Sequence, residues 1–324
     1  MEGSVVMKKA VLLFTVVIIL TGCSSNNELL LPYTNNGDTN EISVVENSTT
    51  SPLMAEDLAV IGLGEDDDAD DVMTSSGSLL INRTTNEVIY ADNVFAKLYP
   101  ASITKLATAY MVLKHANLND TVTISYSASH ITEQGAKLCG FKEGDTISMK
   151  DLVNILLVYS GNDAGIAIAD HIAGSEAAFS ELMNQELFAL GSTHTTFLNA
   201  HGLHDDDHYT TIYDIYLLFD KLMEYDEFKD MINQSSYSST YHMADGKEIE
   251  RNFASTNKYL LGTKKPPEGI TVIGGKTGTT NKAGSCLSLL SQDENGNEYI
   301  SVIFNAESSE ALYTQMTHLL EKIK

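Results

Sequence analysis

The chain has 324 residues, 43% of them apolar and 20% charged, and its 20 basic against 44 acidic residues leave a net charge of −24. That length allows one or two domains with a buried core, and so acidic a chain lacks the basic patch that a phosphate backbone requires, which excludes nucleic acid as a partner. Only Cys23, Cys139 and Cys286 are present, too few for a disulfide scaffold or a multi-cysteine zinc site, and no apolar run reaches the roughly 18 residues of a membrane-spanning helix.

Residues 1–22 have the layout of a secretory signal: Lys8 and Lys9, an apolar run from Ala10 to Leu20, then small residues. Leu20-Thr21-Gly22-Cys23 resembles the bacterial lipoprotein box, which implies that Cys23 becomes the lipidated N-terminus. An ordinary signal peptide with an incidental cysteine is the alternative. Two acyl chains anchor stably, so the expected location is the outer face of the bacterial cytoplasmic membrane, reached through an N-terminal lipid. Residues 23–75 are rich in Asn, Ser, Thr, Asp and Glu, and include Glu65-Asp66-Asp67-Asp68-Ala69-Asp70-Asp71 without any Lys or Arg. This composition predicts an acidic disordered tether. The acidic run lacks the alternating ligands and glycine of an EF-hand, so a solvated spacer is expected rather than a calcium site.

Residues 76–324 read as the folded domain. Ser78-Leu79-Leu80-Ile81 and Glu87-Val88-Ile89-Tyr90 flank a polar turn and predict a β-hairpin. After Pro100, the spacing of Ile103, Leu106, Ala107, Tyr110, Met111 and Val112 predicts a buried helix over 102–115. Further helices are predicted over 149–159, 163–172, 177–190, 212–225 and 311–323, and strands over 270–275, 286–291 and 299–305. Strands at both ends with helices between predict an α+β fold: an antiparallel sheet completed by the C-terminal strands, flanked by helices, with a helical subdomain to one side.

Three short motifs occur in order: Ser102-Ile103-Thr104-Lys105, Ser160-Gly161-Asn162 and Lys276-Thr277-Gly278. S-x-x-K recurs at 255–258 and S-x-N at 24–26, whereas K-T-G occurs once. The ordered trio resembles the signature of penicillin-binding proteins and class A β-lactamases, in its S-x-x-K, S-D-N, K-T-G form. Its chemistry follows from the residue types. A serine hydroxyl needs a base to take its proton, and Lys105, one helical turn beyond Ser102, lies on the same face. That base must be neutral, while a free lysine has a pKa of about 10.4, so burial and a nearby cation must lower it. Lys276 is a candidate for that cation. Backbone N–H groups at the helix start suit an oxyanion. The Ser160 hydroxyl can pass a proton, and the Asn162 amide can hold both the lysine and a substrate carbonyl. Lys276 with Thr277 and Thr279, at a glycine-rich strand end, suits a carboxylate. Taken singly the motifs are equally a capped helix, a turn and a strand end.

These residues resemble the D-alanyl-D-alanine carboxypeptidases, the low-molecular-mass penicillin-binding proteins. Tyr99-Pro100-Ala101-Ser102-Ile103-Thr104-Lys105 is similar to the family's P-A-S-x-T-K, and Tyr159-Ser160-Gly161-Asn162-Asp163-Ala164 to its S-G-N-D-A. His201-Gly202-Leu203, His208-Tyr209-Thr210-Thr211, Asp214, Gly275-Lys276-Thr277-Gly278-Thr279-Thr280 and Ala283-Gly284 extend the match over most of 77–305. The resemblance implies a β-lactamase/transpeptidase-like fold and an acyl-enzyme mechanism on peptidoglycan stem peptides. In it Ser102 is the nucleophile, Lys105 the general base, and Ser160 and Asn162 relay protons and position substrate. Lys276, Thr277 and Thr279 engage the terminal carboxylate, Gly278 is substrate-binding with them, and the N–H groups of Ser102 and Thr279 form the oxyanion hole. It further implies no metal or cofactor, and covalent inhibition by β-lactams. Ala200 stands where the family often has proline. With Lys324 following shortly after the last predicted helix, the family's C-terminal β-rich domain and amphipathic anchor are expected to be missing, and the lipobox and tether to replace that anchor. Cys139 and Cys286 could approach each other, with buried free thiols the expected state.

Three rivals remain at this level. A serine β-lactamase of class A needs a deacylating glutamate in an E-x-x-L-N setting, which the sequence lacks. A non-catalytic penicillin-binding sensor would keep the nucleophile without turnover. His201, His204, Asp205, Asp206, Asp207 and His208 form a metal-like cluster, although the H-G-L and H-Y-T-T matches already account for two of its histidines.

Overall fold

The structure is a computed structural model that describes residues 58–61 and 70–323. The signal segment, the lipobox with Cys23 and most of the tether lie outside the described residues. In chain order the elements are β1 (Gly77–Asn82), β2 (Glu87–Asp92), a 3-10 turn (Ala101–Thr104) running into α1 (Lys105–His115), β3 (Thr121–Thr123), α2 (Tyr126–Ser129), β4 (Thr146–Ser148) and α3 (Met149–Val158). Then come α4 (Asn162–Ala173), α5 (Glu176–Ala189), α6 (Ile212–Leu222), α7 (Asp226–Ile232), β5 (Ser236–His242), β6 (Glu248–Ala254), β7 (Thr271–Thr280), β8 (Gly284–Gln292), β9 (Glu298–Ala306) and α8 (Ser309–Leu320).

The hairpin forms as read, and β9 pairs with its open side, giving a five-stranded antiparallel sheet in the order β2-β1-β9-β8-β7. Period-two alternation divides its side chains between two cores: Leu79 and Ile81 point into one and Leu80 into the other, and Ile300, Val302 and Phe304 oppose Ile303 in the same way. α8 covers one face through Leu312, Met316, Leu319 and Leu320. Its start is capped by Ser308, whose hydroxyl accepts from the Ala311 N–H. α6 covers the other face, and α1 lies behind it against α3, α4 and α5. Every residue from Lys105 to Val112 is buried, so α1 is an interior helix, apolar except where Lys105 enters the site and where Thr108 Oγ1 donates to the Ala200 carbonyl at 2.6 Å.

Two expectations change. The subdomain is not purely helical: it holds a four-stranded sheet, β3-β4-β5-β6. Two of these strands are three residues long, and β5 and β6 are largely polar and exposed, so they carry little hydrophobic alternation. The domain boundary at residue 76 also falls too late. Ala59 is buried, its N–H donating to Tyr216 Oη and its carbonyl accepting from Tyr213 Oη, each at 2.9 Å, and Ile61 joins the core. Met73 enters the core under α8, the Ser75 N–H donates to Gln315 Oε1 at 2.9 Å, and Asp70 pairs with His318 and Lys322. These short stretches pack because their apolar side chains and backbone groups find partners on α6 and α8, a property that composition averaged over 23–75 conceals. Among the described residues no helix is long and apolar enough to cross a membrane.

Candidate active site

Ser102 sits on a strained and tightly moulded turn. Ala101 has φ 46°, a left-handed conformation costly for a residue with a side chain. Thr104 Oγ1 donates to the Ala101 carbonyl at 2.9 Å, and His208 Nε2 lies 2.8 Å from the same hydroxyl. The Leu198 N–H donates to His208 Nδ1 at 3.0 Å. Nε2 therefore carries the proton and donates to Thr104, completing a relay from histidine to carbonyl. Burial holds the His208 pKa down at about 3, so the ring stays neutral. Two glycines close around the turn: a Cβ on Gly202, which has φ +82°, would fall 1.8 Å from the Ala101 oxygen, and one on Gly278 would fall 2.9 Å from the Pro100 oxygen and 3.0 Å from the Ser102 nitrogen. H-G-L, H-Y-T-T and K-T-G thus all help to shape the backbone that presents the serine.

Lys105 is fully buried, with Nζ 2.9 Å from Ser102 Oγ, 2.8 Å from Asn162 Oδ1 and 2.5 Å from the His201 carbonyl. Burial lowers its pKa to about 7; Asp163 opposes the shift and the Lys137 ammonium adds to it. Burial is the main cause and Lys137 adds a smaller push, while the repulsion between Lys105 and Lys276 that the sequence leads one to expect lowers the Lys276 side of the pair. A neutral amine has two hydrogens and one lone pair. Asn162 Oδ1 and the His201 carbonyl can only accept, so they take both hydrogens and leave the lone pair for the Ser102 hydroxyl proton.

Ser160 follows α3 with φ 73°, and its Oγ accepts from Lys276 Nζ at 2.9 Å. Lys276 is itself fully buried, and its Nζ also donates to the Thr277 carbonyl at 2.8 Å. Burial, reinforced by Lys105, drives its pKa well below the ordinary lysine value. Asn162 opens α4, its N–H donating to the Lys137 carbonyl at 2.7 Å. Thr277 Oγ1 lies 2.6 Å from Thr256 Oγ1, so the second S-x-x-K run supplies a wall residue rather than a nucleophile.

These groups surround a cleft of about 310 Å3 lined by Ser102, Ser160, Asn162, Thr277, Gly278 and Thr279, together with Lys137 and Thr256. K-T-G lies within β7, the edge strand of the sheet, rather than at a strand end. The structure therefore brings together every motif residue picked out from the sequence for this site, with Lys105 and Lys276 buried beneath the walls; Cys23 lies outside the described residues. Sequence reasoning missed Lys137 and Thr256, whose surroundings give no local motif, and the carbonyl of His201, since a backbone acceptor has no sequence signal. Cys139 and Cys286 are both buried free thiols, Cys286 standing opposite Gly278 on β8. The histidines of the 201–208 loop take separate partners: Glu176 for His201, Asp206 for His204, and Thr104 with Leu198 for His208.

The sequence pattern of the peptidase S11 family, D-alanyl-D-alanine carboxypeptidase, matches residues 65–308. The chain belongs to this family. It is 28% identical over 252 residues to the D-alanyl-D-alanine carboxypeptidase DacF of Bacillus subtilis, covering 76% of this chain and 61% of the relative. It is 31% identical over 250 residues to DacC of Escherichia coli, covering 75% and 59%. The chain thus spans about three fifths of the length of these curated relatives. Two solved structures share its fold. The Streptomyces K15 DD-transpeptidase superposes with a TM-score of 0.72 at 23% identity, over 78% of this chain and 98% of that one. Penicillin-binding protein D2 from Listeria monocytogenes, in its cefotaxime-bound form, gives 0.65 at 24% identity over 79% and 99%. The α+β, transpeptidase-like fold expected from the sequence is the observed one.

Proposed function

We propose that the protein is a serine-type D-alanyl-D-alanine carboxypeptidase that trims the terminal D-alanine from peptidoglycan stem peptides through an acyl-enzyme. The observation that carries this reading is the Ser102–Lys105 pair, a hydroxyl 2.9 Å from a buried amine whose other contacts are two acceptors. Ser102 Oγ attacks the penultimate D-alanine carbonyl while Lys105 takes the hydroxyl proton. The N–H groups of Ser102 and Thr279 receive the oxyanion. The proton then passes by way of Ser160 to the departing D-alanine nitrogen as the peptide bond breaks. Water then gives a proton to Lys105 as it attacks the ester, and Lys105 passes that proton to Ser102 Oγ as the ester C–O bond breaks, releasing the shortened peptide and restoring the Ser102 hydroxyl and the neutral amine. Thr277 and Thr279 meet the terminal carboxylate, and Lys276 supports them from behind through Ser160 and the Thr277 carbonyl. The free edge of β7 suits an extended peptide lying along it as an added strand. The scheme needs no metal or cofactor.

β-Lactams, as cyclic mimics of the dipeptide, would acylate Ser102 and leave slowly. No carboxylate is found among the described residues lining the cleft, so the glutamate by which class A β-lactamases activate water has no counterpart there, which favours a peptidase over a β-lactamase. The proposal includes removal of residues 1–22, lipidation of Cys23 and an outward-facing domain held at the membrane by the acidic tether, all of which rest on the sequence. Cys23→Ala should shift the protein from the membrane fraction to the soluble one.

The test uses a pentapeptide ending in D-Ala-D-Ala. Wild-type chain should release D-alanine and label with fluorescent penicillin; Ser102→Ala should do neither while keeping its circular dichroism spectrum. Labelling that persists in the variant would remove Ser102 as nucleophile. Labelling of the wild type without release would favour the sensor.

A further inference from the structure

Lys137 is, among the described residues lining the cleft, the one with a cationic side chain. It is half-buried, its Nζ lies 4.0 Å from the centre of the Tyr159 ring, and burial lowers its pKa with no carboxylate opposing the shift. The other two lysines of the site are committed to the protein itself: Lys105 contacts Ser102, Asn162 and the His201 carbonyl, and Lys276 contacts Ser160 and the Thr277 carbonyl. An anion entering the cleft therefore meets one reachable ammonium.

That ammonium is held in place. The Lys137 carbonyl accepts from the Asn162 N–H at 2.7 Å. Two residues on, the N–H groups of Cys139 and Gly140 donate to the Asp163 carboxylate at 2.9 and 2.8 Å, and Arg251 Nη1 donates to the Cys139 carbonyl at 2.5 Å. The loop is thus pinned to α4 beside Asn162, and the Tyr159 ring supplies a face for the cation. A cation partly stripped of water and left without a counter-ion costs free energy, which a carboxylate on an incoming ligand recovers.

We propose that Lys137 is a specificity-determining residue that binds a carboxylate of the peptide substrate, an inference that rests on the carboxypeptidase reading of the cleft. Two sources share this chemistry: the carboxylate of the terminal D-alanine, and the side-chain carboxylate of an acidic residue upstream of the scissile bond.

The experiment compares full-length wild type, Lys137→Gln and Lys137→Arg. It measures kcat and KM for D-alanine release from two peptides ending in D-Ala-D-Ala, one with a free upstream carboxylate and one with that group amidated, at low and high salt. The acylation rate with benzylpenicillin, which carries one carboxylate, is measured alongside. Lys137→Gln should lower kcat/KM roughly ten-fold, mainly through KM, as expected for the loss of a charge-assisted hydrogen bond. Lys137→Arg should restore it, and the salt dependence of the wild type should vanish in Lys137→Gln. A loss on both peptides and on penicillin assigns the terminal carboxylate; a loss confined to the peptide with the free side chain assigns the upstream one. An unchanged kcat/KM on both peptides, or a loss that arginine does not rescue and salt does not modulate, overturns the proposal. Should wild type react with penicillin yet release no D-alanine, the carboxypeptidase reading fails and the upstream assignment, which only the peptides report, falls with it; a penicillin rate indifferent to Lys137→Gln then removes the terminal-carboxylate assignment as well and overturns this proposal. A wild type inert to all three probes removes both.

Discussion

Lys105 shows how far burial alone can retune a side chain. A lysine in water loses its proton at about 10.4, whereas here the amine is fully enclosed and titrates at about 7. Protonated Lys105 has no lone pair to accept the Ser102 hydroxyl proton. Acylation should therefore be lost as the pH falls through about 7 and reach a plateau above it, which the rate of fluorescent-penicillin labelling against pH would check. A flat profile between about pH 5 and 9 would contradict Lys105 as the base. The same burial contributes a rise in stability between about pH 7 and 10.4, because the unfolded chain there keeps a proton that folded Lys105 has given up.

The turn from Pro100 into α1 is an element built by others. Its left-handed Ala101 is held by the His208–Thr104 relay and closed in by Gly202 and Gly278. Gly202→Ala would drive a methyl into the Ala101 carbonyl at a position with φ +82°. The backbone cannot yield there without moving Ser102, so a loss of about 3 kcal/mol in urea unfolding and of nearly all penicillin labelling is expected. Thr104→Val keeps the shape but leaves the proton on His208 Nε2 without its acceptor, at a cost of about 1–3 kcal/mol. Unaltered labelling in both variants would show that the turn does not depend on these neighbours.

On the scale of the whole molecule, the central sheet joins both ends of the domain: β1 pairs with β9, so the sheet is complete only once the last strand is in place. The stretches before β1 extend this arrangement. Ala59 fastens onto α6 and Ser75 onto α8, while Ile61 and Met73 join the two cores. A chain beginning at Ser76 loses those hydrogen bonds and buried side chains, and should melt roughly 5–10 °C below one beginning before Leu58. Equal melting temperatures would mean that these contacts contribute nothing to the fold.

The long apolar patterns were legible from the sequence because they report burial directly: the β1–β2 hairpin, α1, α3 to α6, the three C-terminal strands and α8. So were the order of the three motifs and the acyl-transfer chemistry of Ser102, Lys105, Ser160, Asn162 and Lys276-Thr277-Gly278, since those residue types suit few other tasks together. The second sheet was not legible, because β5 and β6 are polar and exposed and owe their pairing to each other. Nor were the packed stretches at 58–61 and 70–75, too short to stand out from their surroundings. The state of the two buried lysines and the place of Lys137 were decided by tertiary structure alone. Asn162 lies 57 residues from Lys105, and Ser160 lies 116 from Lys276. Burial and proximity across such separations arise only when the chain folds, and they determine which amine is neutral and which remains free to meet a substrate.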